Sequence, residues 1–179
     1  MRLLLIIPLL FSISVDAEIH KEAIPTEHGL EFRWWPVLPE IEGWHQDRNS
    51  SLKFGMNAQA PIGSTFENAE TVIYSRAVYK PRVPNIKNLS AFIENDKADF
   101  LAKESSLKIS RVDPIRNSDE VLLQSFSFTP SSTGNWEQVS YLEEEKFYIV
   151  FTISSRSKRG FKESFSAYKQ IVEEYKKEL

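Results

Sequence analysis

The most regular apolar pattern in the chain lies over residues 147–154, where every second residue is large and apolar. These positions are Phe147, Ile149, Phe151 and Ile153. Because the residues between them are also rather apolar, the pattern predicts a central β-strand that is covered on both faces. Residues 136–142 and an acidic turn at 143–146 precede it, and together these segments predict a β-hairpin.

A second pattern, with apolar residues three or four positions apart, predicts two amphipathic helices. The final helix is expected from about residue 158 to 177, with an apolar stripe formed by Phe161, Phe165, Tyr168, Val172 and Tyr175. The other helix is expected from residue 85 to about 105, with one face formed by Leu89, Phe92, Ile93, Phe100 and Leu101. If the central strand is covered on both faces, one helix lies on each side of the sheet.

Shorter β-like runs, bounded by clusters of Pro, Gly, Asn and Ser, predict the remaining strands. They lie at residues 30–35, 43–45, 52–56, 71–80, 108–112 and 121–129. A slip in the alternation of the last run predicts a bulge there. Residues 64–67 have capping-box spacing and predict a short helical turn, whereas residues 18–29 are polar and aperiodic and are expected to form a mobile N-terminal arm.

These elements predict one α+β domain over residues 30–179. Its centre is an antiparallel or mixed sheet of about six or seven strands, with helices packed on its faces as an α/β/α sandwich. No internal repeat, low-complexity segment or interdomain linker divides the sequence.

The first seventeen residues have the pattern of a secretory signal peptide. Arg2 precedes an apolar run at residues 3–10, and the small residues of Val15-x-Ala17 follow it. The run is too short to span a bilayer as a helix. The sequence therefore predicts export to the periplasm or beyond, with a mature protein that begins near Glu18.

Composition narrows the possible functions. The 22 Lys and Arg against 25 Asp and Glu give a net charge of −3, which lacks the basic excess of a nucleic-acid binder. The absence of cysteine excludes disulfides and a cysteine nucleophile. Hydrophobic residues make up 41% of the chain, enough for a packed core. Since no second long apolar run follows the leader, we expect no membrane insertion of the mature protein.

The residues that could carry catalysis are few. The histidines are His20, His28 and His45, and their spacing matches no rigid metal site. No serine lies in a Gly-x-Ser-x-Gly elbow. The sequence therefore predicts no catalytic residue, metal or cofactor. A small hydrolase assembled around His45 remains the alternative from a different functional class.

Aromatic residues are the better candidates for binding, because exposed rings stack on sugars and peptide segments. Alternation over residues 32–35 assigns Trp34 to the core and Trp35 to the surface, although a core position remains open for both. The complete set of candidate contact residues is Trp35, Phe66, Asn68, Trp136 and Arg156. Arg156 belongs to a basic cluster before the final helix, where an anion is favoured. The expected contact surface consists of the loops at 57–68 and 130–136.

The closing hairpin and helix also carry a resemblance to a known family. The strand at 148–154, its partner beginning at Trp136, and the helix with Phe161, Phe165, Tyr168 and Ile171 resemble the close of PsbP-like α/β/α sandwich domains over about the last 45 residues. About fifteen residues from position 62 resemble a segment of small exported bacterial proteins of unassigned function. The resemblance implies the sandwich fold and accessory or binding roles, and it transfers no catalytic residue.

The leading hypothesis from the sequence is an exported, non-enzymatic protein that binds a protein partner in the periplasm or cell envelope. Besides the His45 hydrolase, a small-molecule or lipid carrier is a further alternative. A carrier would require an apolar cavity between the sheet and the final helix.

Overall fold

The computed structural model describes residues 19–176. The strands are β1 Ile19–Thr26, β2 Gly29–Pro36, β3 Trp44–Gln46, β4 Asn57–Pro61, β5 Thr71–Tyr79, β6 Lys108–Arg116, β7 Leu122–Thr129, β8 Trp136–Glu143 and β9 Phe147–Ser155. The helices are α1 Arg48–Phe54, α2 Leu89–Lys103 and α3 Lys158–Glu174, and a short 3-10 turn covers Lys80–Arg82. The predicted signal peptide, residues 1–17, lies outside the described residues.

Seven strands form one antiparallel sheet in the order β3-β4-β5-β9-β8-β7-β6. β9 lies at its centre, and every residue of β9 is buried. The prediction of a central strand covered on both faces is therefore confirmed, and so is the α+β class.

Alternation along β9 divides the interior into two cores. Ile149, Phe151 and Ile153 belong to the core beneath α3. Tyr148 and Val150 belong to the core beneath α2. One helix therefore covers each face of the sheet, as the apolar patterns predicted. Full burial of each such side chain contributes about 1.5–3 kcal/mol to the free energy of folding.

The apolar stripe of α3 packs directly on the sheet. Tyr168, Val172 and Tyr175 are fully buried in the core beneath this helix. The Tyr168 hydroxyl lies 2.6 Å from Ser140 Oγ and 3.2 Å from the Phe151 carbonyl oxygen. The buried phenol therefore has hydrogen-bond partners within the core. This close packing counts against the apolar cavity that a carrier would need here.

The strand predicted over residues 52–56 is wrong, because this segment ends helix α1. The Asp47 carboxylate accepts a hydrogen bond from the Ser50 N–H at 3.0 Å and caps the helix. Gly55 ends it with φ at 66°, where a side chain would also approach Arg33 Cγ to 2.8 Å. Asp, Asn and Ser form both turns and helix N-caps, which explains the misassignment.

The expected mobile arm is also wrong for residues 19–26. They form β1, which pairs along its whole length with β2. The resulting hairpin lies beside β5. There Trp34 packs on Tyr79 with 5.2 Å between ring centroids, and Arg82 donates to the Phe32 carbonyl at 2.7 Å.

Two smaller predictions concern local structure. The helical turn expected from residues 64–67 is present one residue later, because the Ala69 N–H donates to the Thr65 carbonyl at 2.9 Å and the side chains of Thr65 and Asn68 cap the turn reciprocally. The bulge predicted in the 121–129 strand lies on its partner, because Val112 and Ile115 of β6 face Ser125 and Leu123 of β7. β6 therefore carries the extra residue, which interrupts this edge strand and discourages edge-to-edge association.

Candidate functional site

Trp35, the leading surface candidate, is buried, with only 4% of its side chain exposed. The cause is β1, which the sequence did not predict. β1 places His20 opposite Trp35 in the hairpin, with ring centroids 5.0 Å apart. The prediction that Trp35 lies at the surface is therefore wrong.

The other four candidates do not form a single site. Phe66 and Arg156 line the same cavity, whereas Asn68 lies outside it and closes its own turn. Trp136 projects from the opposite face of the sheet, where Lys158 Nζ lies 5.0 Å from the ring centroid. The structure thus brings together only two of the five residues.

The cavity with Phe66 and Arg156 belongs to a longer depression, which we call the sheet groove. Its floor is the part of the sheet that α2 leaves uncovered, where Tyr74 pairs with Thr152 and Ser154 pairs with Glu137. Two adjoining cavities of about 680 and 340 Å³ make up the groove. They share the residues Phe54, Met56, Tyr74, Asn135 and Glu137.

One wall of the sheet groove is aromatic. Phe54, at the end of α1, lies 5.8 Å from Phe66 between ring centroids, and Phe66 lies 5.9 Å from Tyr74. The Asp47 carboxylate holds this wall together, because it caps α1 and also accepts from the Phe66 N–H at 3.0 Å. These hydrogen bonds hold the pKa of Asp47 below its usual value. Phe54 remains 39% exposed.

Glu137 is the charged group of the groove floor. Burial raises the pKa of this carboxyl above its ordinary value, and the charge of Asp96 acts in the same direction. A hydrogen bond from Ser154 and the charge of Lys103 oppose this shift only in part. Glu137 takes part in none of the ion pairs that join described residues. It is therefore a half-buried carboxyl that no lysine or arginine side chain pairs with among the described residues.

Tyr74 supplies a neutral hydroxyl beside this carboxyl. Burial raises the pKa of the phenol far above its usual range, and the charge of Glu137 acts in the same direction. The hydroxyl also interacts with Thr152 of the neighbouring strand. The phenol therefore stays protonated at physiological pH and can donate a hydrogen bond to a ligand.

At the α2 end of the groove, a buried network joins helix to sheet. Asp96 of α2 forms an ion pair with Arg76 of β5. The Tyr141 hydroxyl donates to the second oxygen of Asp96 at 2.8 Å. Both oxygens of this buried carboxylate are thus engaged, and the network fixes the helix that forms one end of the groove.

A prediction concerns the pH dependence of Glu137. Its pKa is higher in the folded protein than in the unfolded chain, so its ionisation destabilises the folded state as pH rises through this range. Glu137→Gln should therefore give a higher Tm than the wild type above the pKa of Glu137. Below the unfolded pKa, where Glu137 is neutral in both states, the two proteins should melt alike.

Thermal melting from pH 3 to 8 measures this difference (about the span in which carboxylates titrate). Asp96 and Lys103 of α2 and Tyr74 of β5 face Glu137, but they are present in both proteins and their effects largely cancel. A Glu137→Gln protein that is less stable than the wild type at neutral pH would show that the carboxylate stabilises the fold.

Another cavity, of about 760 Å³, lies between the β1–β2 hairpin and strands β3 and β4. His45 lines it, as the hydrolase alternative requires. However, His45 Nε2 lies 2.9 Å from the Ser64 carbonyl oxygen. No hydrogen bond between described residues joins His45 to a serine hydroxyl or a carboxylate.

Within residues 19–176, no group of three or more His, Asp or Glu side chains is arranged to hold a metal ion. None of the helices in that range is long and apolar enough to cross a membrane.

Sequence reasoning missed Glu137, Tyr74 and Phe54. A signal for Glu137 was present, because it lies in register with Val139 and Tyr141 on the buried face of the predicted hairpin. A charged residue at a position where the alternation predicts an apolar one indicates a functional role more than a packing role. Phe54 and Tyr74 carried no such signal, since aromatic residues in predicted strands are usually core.

Comparison with known protein families finds no family model that matches the chain. Comparison with curated proteins finds no significant sequence match.

Proposed function

We propose that this chain is an exported, non-enzymatic binding protein whose ligand site is the sheet groove. The observation that carries the proposal is Glu137, a half-buried carboxyl without a cation partner among the described residues, on the floor of a groove with an aromatic wall. Concave sites that combine apolar walls with a few polar groups are typical of ligand-binding pockets.

The energetics of Glu137 support a role in binding. Removing an ionised carboxylate from water is unfavourable unless a cation or several hydrogen bonds compensate it. Here Ser154 gives one hydrogen bond, and Lys103 acts only through its charge. Groups that lower stability in this way cluster at functional sites. A glutamine or an apolar residue would suit this position better if packing were its only role.

The narrower part of the proposal is that the chain is a PsbP-like α/β/α sandwich, and the architecture is compatible with it. A seven-stranded antiparallel sheet has α2 on one face and α3 on the other. The resemblance of the closing hairpin and helix agrees with this architecture. The proposal transfers no residue roles from that family, because its members differ in function.

Export is the second part of the proposal and rests on the leader pattern of residues 1–17. The mature protein should begin at or near Glu18. N-terminal sequencing of the protein recovered from culture medium or periplasm measures this directly. An intact Met1 on protein confined to the cytoplasm would contradict export.

Capture in the native envelope tests the binding proposal. The tagged protein is chemically crosslinked in the cells that make it, and captured molecules are identified by mass spectrometry. Phe54→Ala/Phe66→Ala removes the aromatic wall and should lower specific capture by about tenfold, since the loss of two ring contacts costs more than about 1.4 kcal/mol of binding energy.

Leu122→Ala is the matched control. Leu122 is an apolar residue with 51% exposure that lies outside the groove, and its truncation should leave capture unchanged. Equal capture by the wild type and the double variant, with both folded, would remove the sheet groove as the binding surface.

A further inference from the structure

We infer that the ligand of the sheet groove is an amphipathic organic cation, an ammonium group attached to an apolar body. The ammonium group is placed at the Glu137 carboxylate, and the apolar body lies against Phe54 and Phe66. This inference rests on the proposed function of the groove and names the chemistry of its ligand.

Some charged side chains of the groove already have partners and others do not, and this difference indicates the sign of the ligand's charge. Among the acidic groups that line the groove, Asp96 is engaged by Arg76 and Tyr141. Glu104 accepts hydrogen bonds from Ser106, Glu70 accepts one from Ser157, and Asp99 is exposed to water on α2. Glu137 has only the Ser154 hydroxyl, which itself accepts from Asn135 Nδ2 at 3.0 Å. The carboxylate on the floor of the groove can therefore accept further hydrogen bonds from a cation.

The basic groups around the groove are largely committed to other partners. Arg76 pairs with Asp96, and Arg33 pairs with Glu31 at 2.9 Å. Arg156 donates to the Glu67 carbonyl oxygen at 2.8 Å. Lys103 is exposed at the end of α2, where water screens its charge. An anionic ligand would meet the uncompensated Glu137 carboxylate and few available cations.

The aromatic wall suits a cation as well as an apolar body. The faces of aromatic rings attract cations, and the attraction strengthens where water is excluded. Lys53, which pairs with Glu67, has its Nζ 5.1 Å from the centroid of Phe54. The Phe66 and Tyr74 rings continue the wall into the groove. An alkyl or aryl body would replace water along this wall while its ammonium group reaches Glu137.

The two cavities, of about 680 and 340 Å³, have the size of sites for small organic molecules. The groove is open along one side, so a bound molecule keeps part of its surface in water. These dimensions favour a small amine over a macromolecule as the group that fills the floor.

The test compares three probes with the same phenyl body and different charge: phenethylamine, phenethyl alcohol and phenylpropionate. Each is titrated into the isotope-labelled protein, and NMR chemical shifts of the groove residues give the Kd. We expect phenethylamine to bind about tenfold more tightly than the alcohol, as one charge-assisted contact predicts. Phenylpropionate should bind more weakly than either.

Two charge-neutralising variants complete the design. Glu137→Gln should abolish the preference for the amine over the alcohol. Glu145→Gln removes an equal charge from the exposed β8–β9 turn and should keep the preference. Equal affinities for amine and alcohol in the wild type, or a preference that survives Glu137→Gln, would overturn the inference.

The design separates this inference from the proposed function. If none of the probes binds while capture still depends on Phe54 and Phe66, the cationic ligand is wrong and the groove remains the binding surface. If capture is also independent of the aromatic wall, both proposals fail.

Discussion

Trp35→Ala should destabilise the protein by about 3–5 kcal/mol, the range for truncating a buried large aromatic side chain. Trp35 is 4% exposed and is packed by the ring of His20 from the paired strand β1. Trp35 also lines the cavity of about 760 Å³, which its truncation would enlarge. Urea unfolding of the mature protein, monitored by far-ultraviolet circular dichroism, measures the loss.

Leu30→Ala is the control for the same hairpin. Leu30 lies on β2 but is 67% exposed, so its truncation should change the free energy of unfolding by less than about 0.5 kcal/mol. If Trp35→Ala is equally mild, β1 does not cover β2 in solution. Trp35 would then be exposed in solution and would again be a candidate for binding.

Arg76→Met should destabilise the protein by about 2–3 kcal/mol, below the range for fully buried ion pairs because Arg76 is 40% exposed. The substitution keeps most of the side-chain volume but leaves the buried Asp96 carboxylate with Tyr141 as its hydrogen-bond donor. The Asp96 carboxylate is then buried without its counter-charge, so the free-energy cost of removing it from water is no longer compensated. Thermal and urea unfolding at neutral pH measure it.

The matched control removes the whole network. Arg76→Met/Asp96→Leu/Tyr141→Phe leaves neither a buried charge nor a hydroxyl without an acceptor. Replacing a buried polar triad by apolar residues is often neutral for stability. The triple variant should therefore recover much of the loss. A triple variant that is far less stable than Arg76→Met would show that the network stabilises the fold beyond charge compensation.

The elements that the sequence predicted well are those in which periodicity and burial coincide. Every residue of β9 is buried, and α3 buries its apolar residues along one stripe. The apolar pattern alone therefore identifies both elements. α1 was missed because it has only seven residues, and its cap Asp47 and terminator Gly55 are also turn-forming residues. β1 was missed because its sequence shows no alternation, with Lys21 and Glu22 adjacent and Pro25 within the strand, and because its burial depends on pairing with β2.

The same missing strand explains the error at Trp35. Alternation places consecutive residues on opposite faces, but it does not show which face another segment covers. The groove was missed for a related reason. Glu137 becomes half-buried only when Phe54 and Lys103, distant along the chain, form its walls. Phe66 and Arg156 were singled out as isolated candidates, and only the tertiary structure places them in the same cavity.

Site-specific photocrosslinking tests the central claim, that ligands bind in the sheet groove, most directly. Benzoylphenylalanine is introduced in place of Phe54 in the cells that make the protein, and the intact mass of the irradiated, purified protein is measured. The matched protein carries the same photoreactive residue in place of Leu122. Because Leu122 is 51% and Phe54 is 39% exposed, exposure alone would favour labelling at Leu122.

We expect a reproducible added mass at position 54 and none at position 122. Equal labelling at the two positions, or no added mass at position 54, would contradict the assignment of the sheet groove as the binding site.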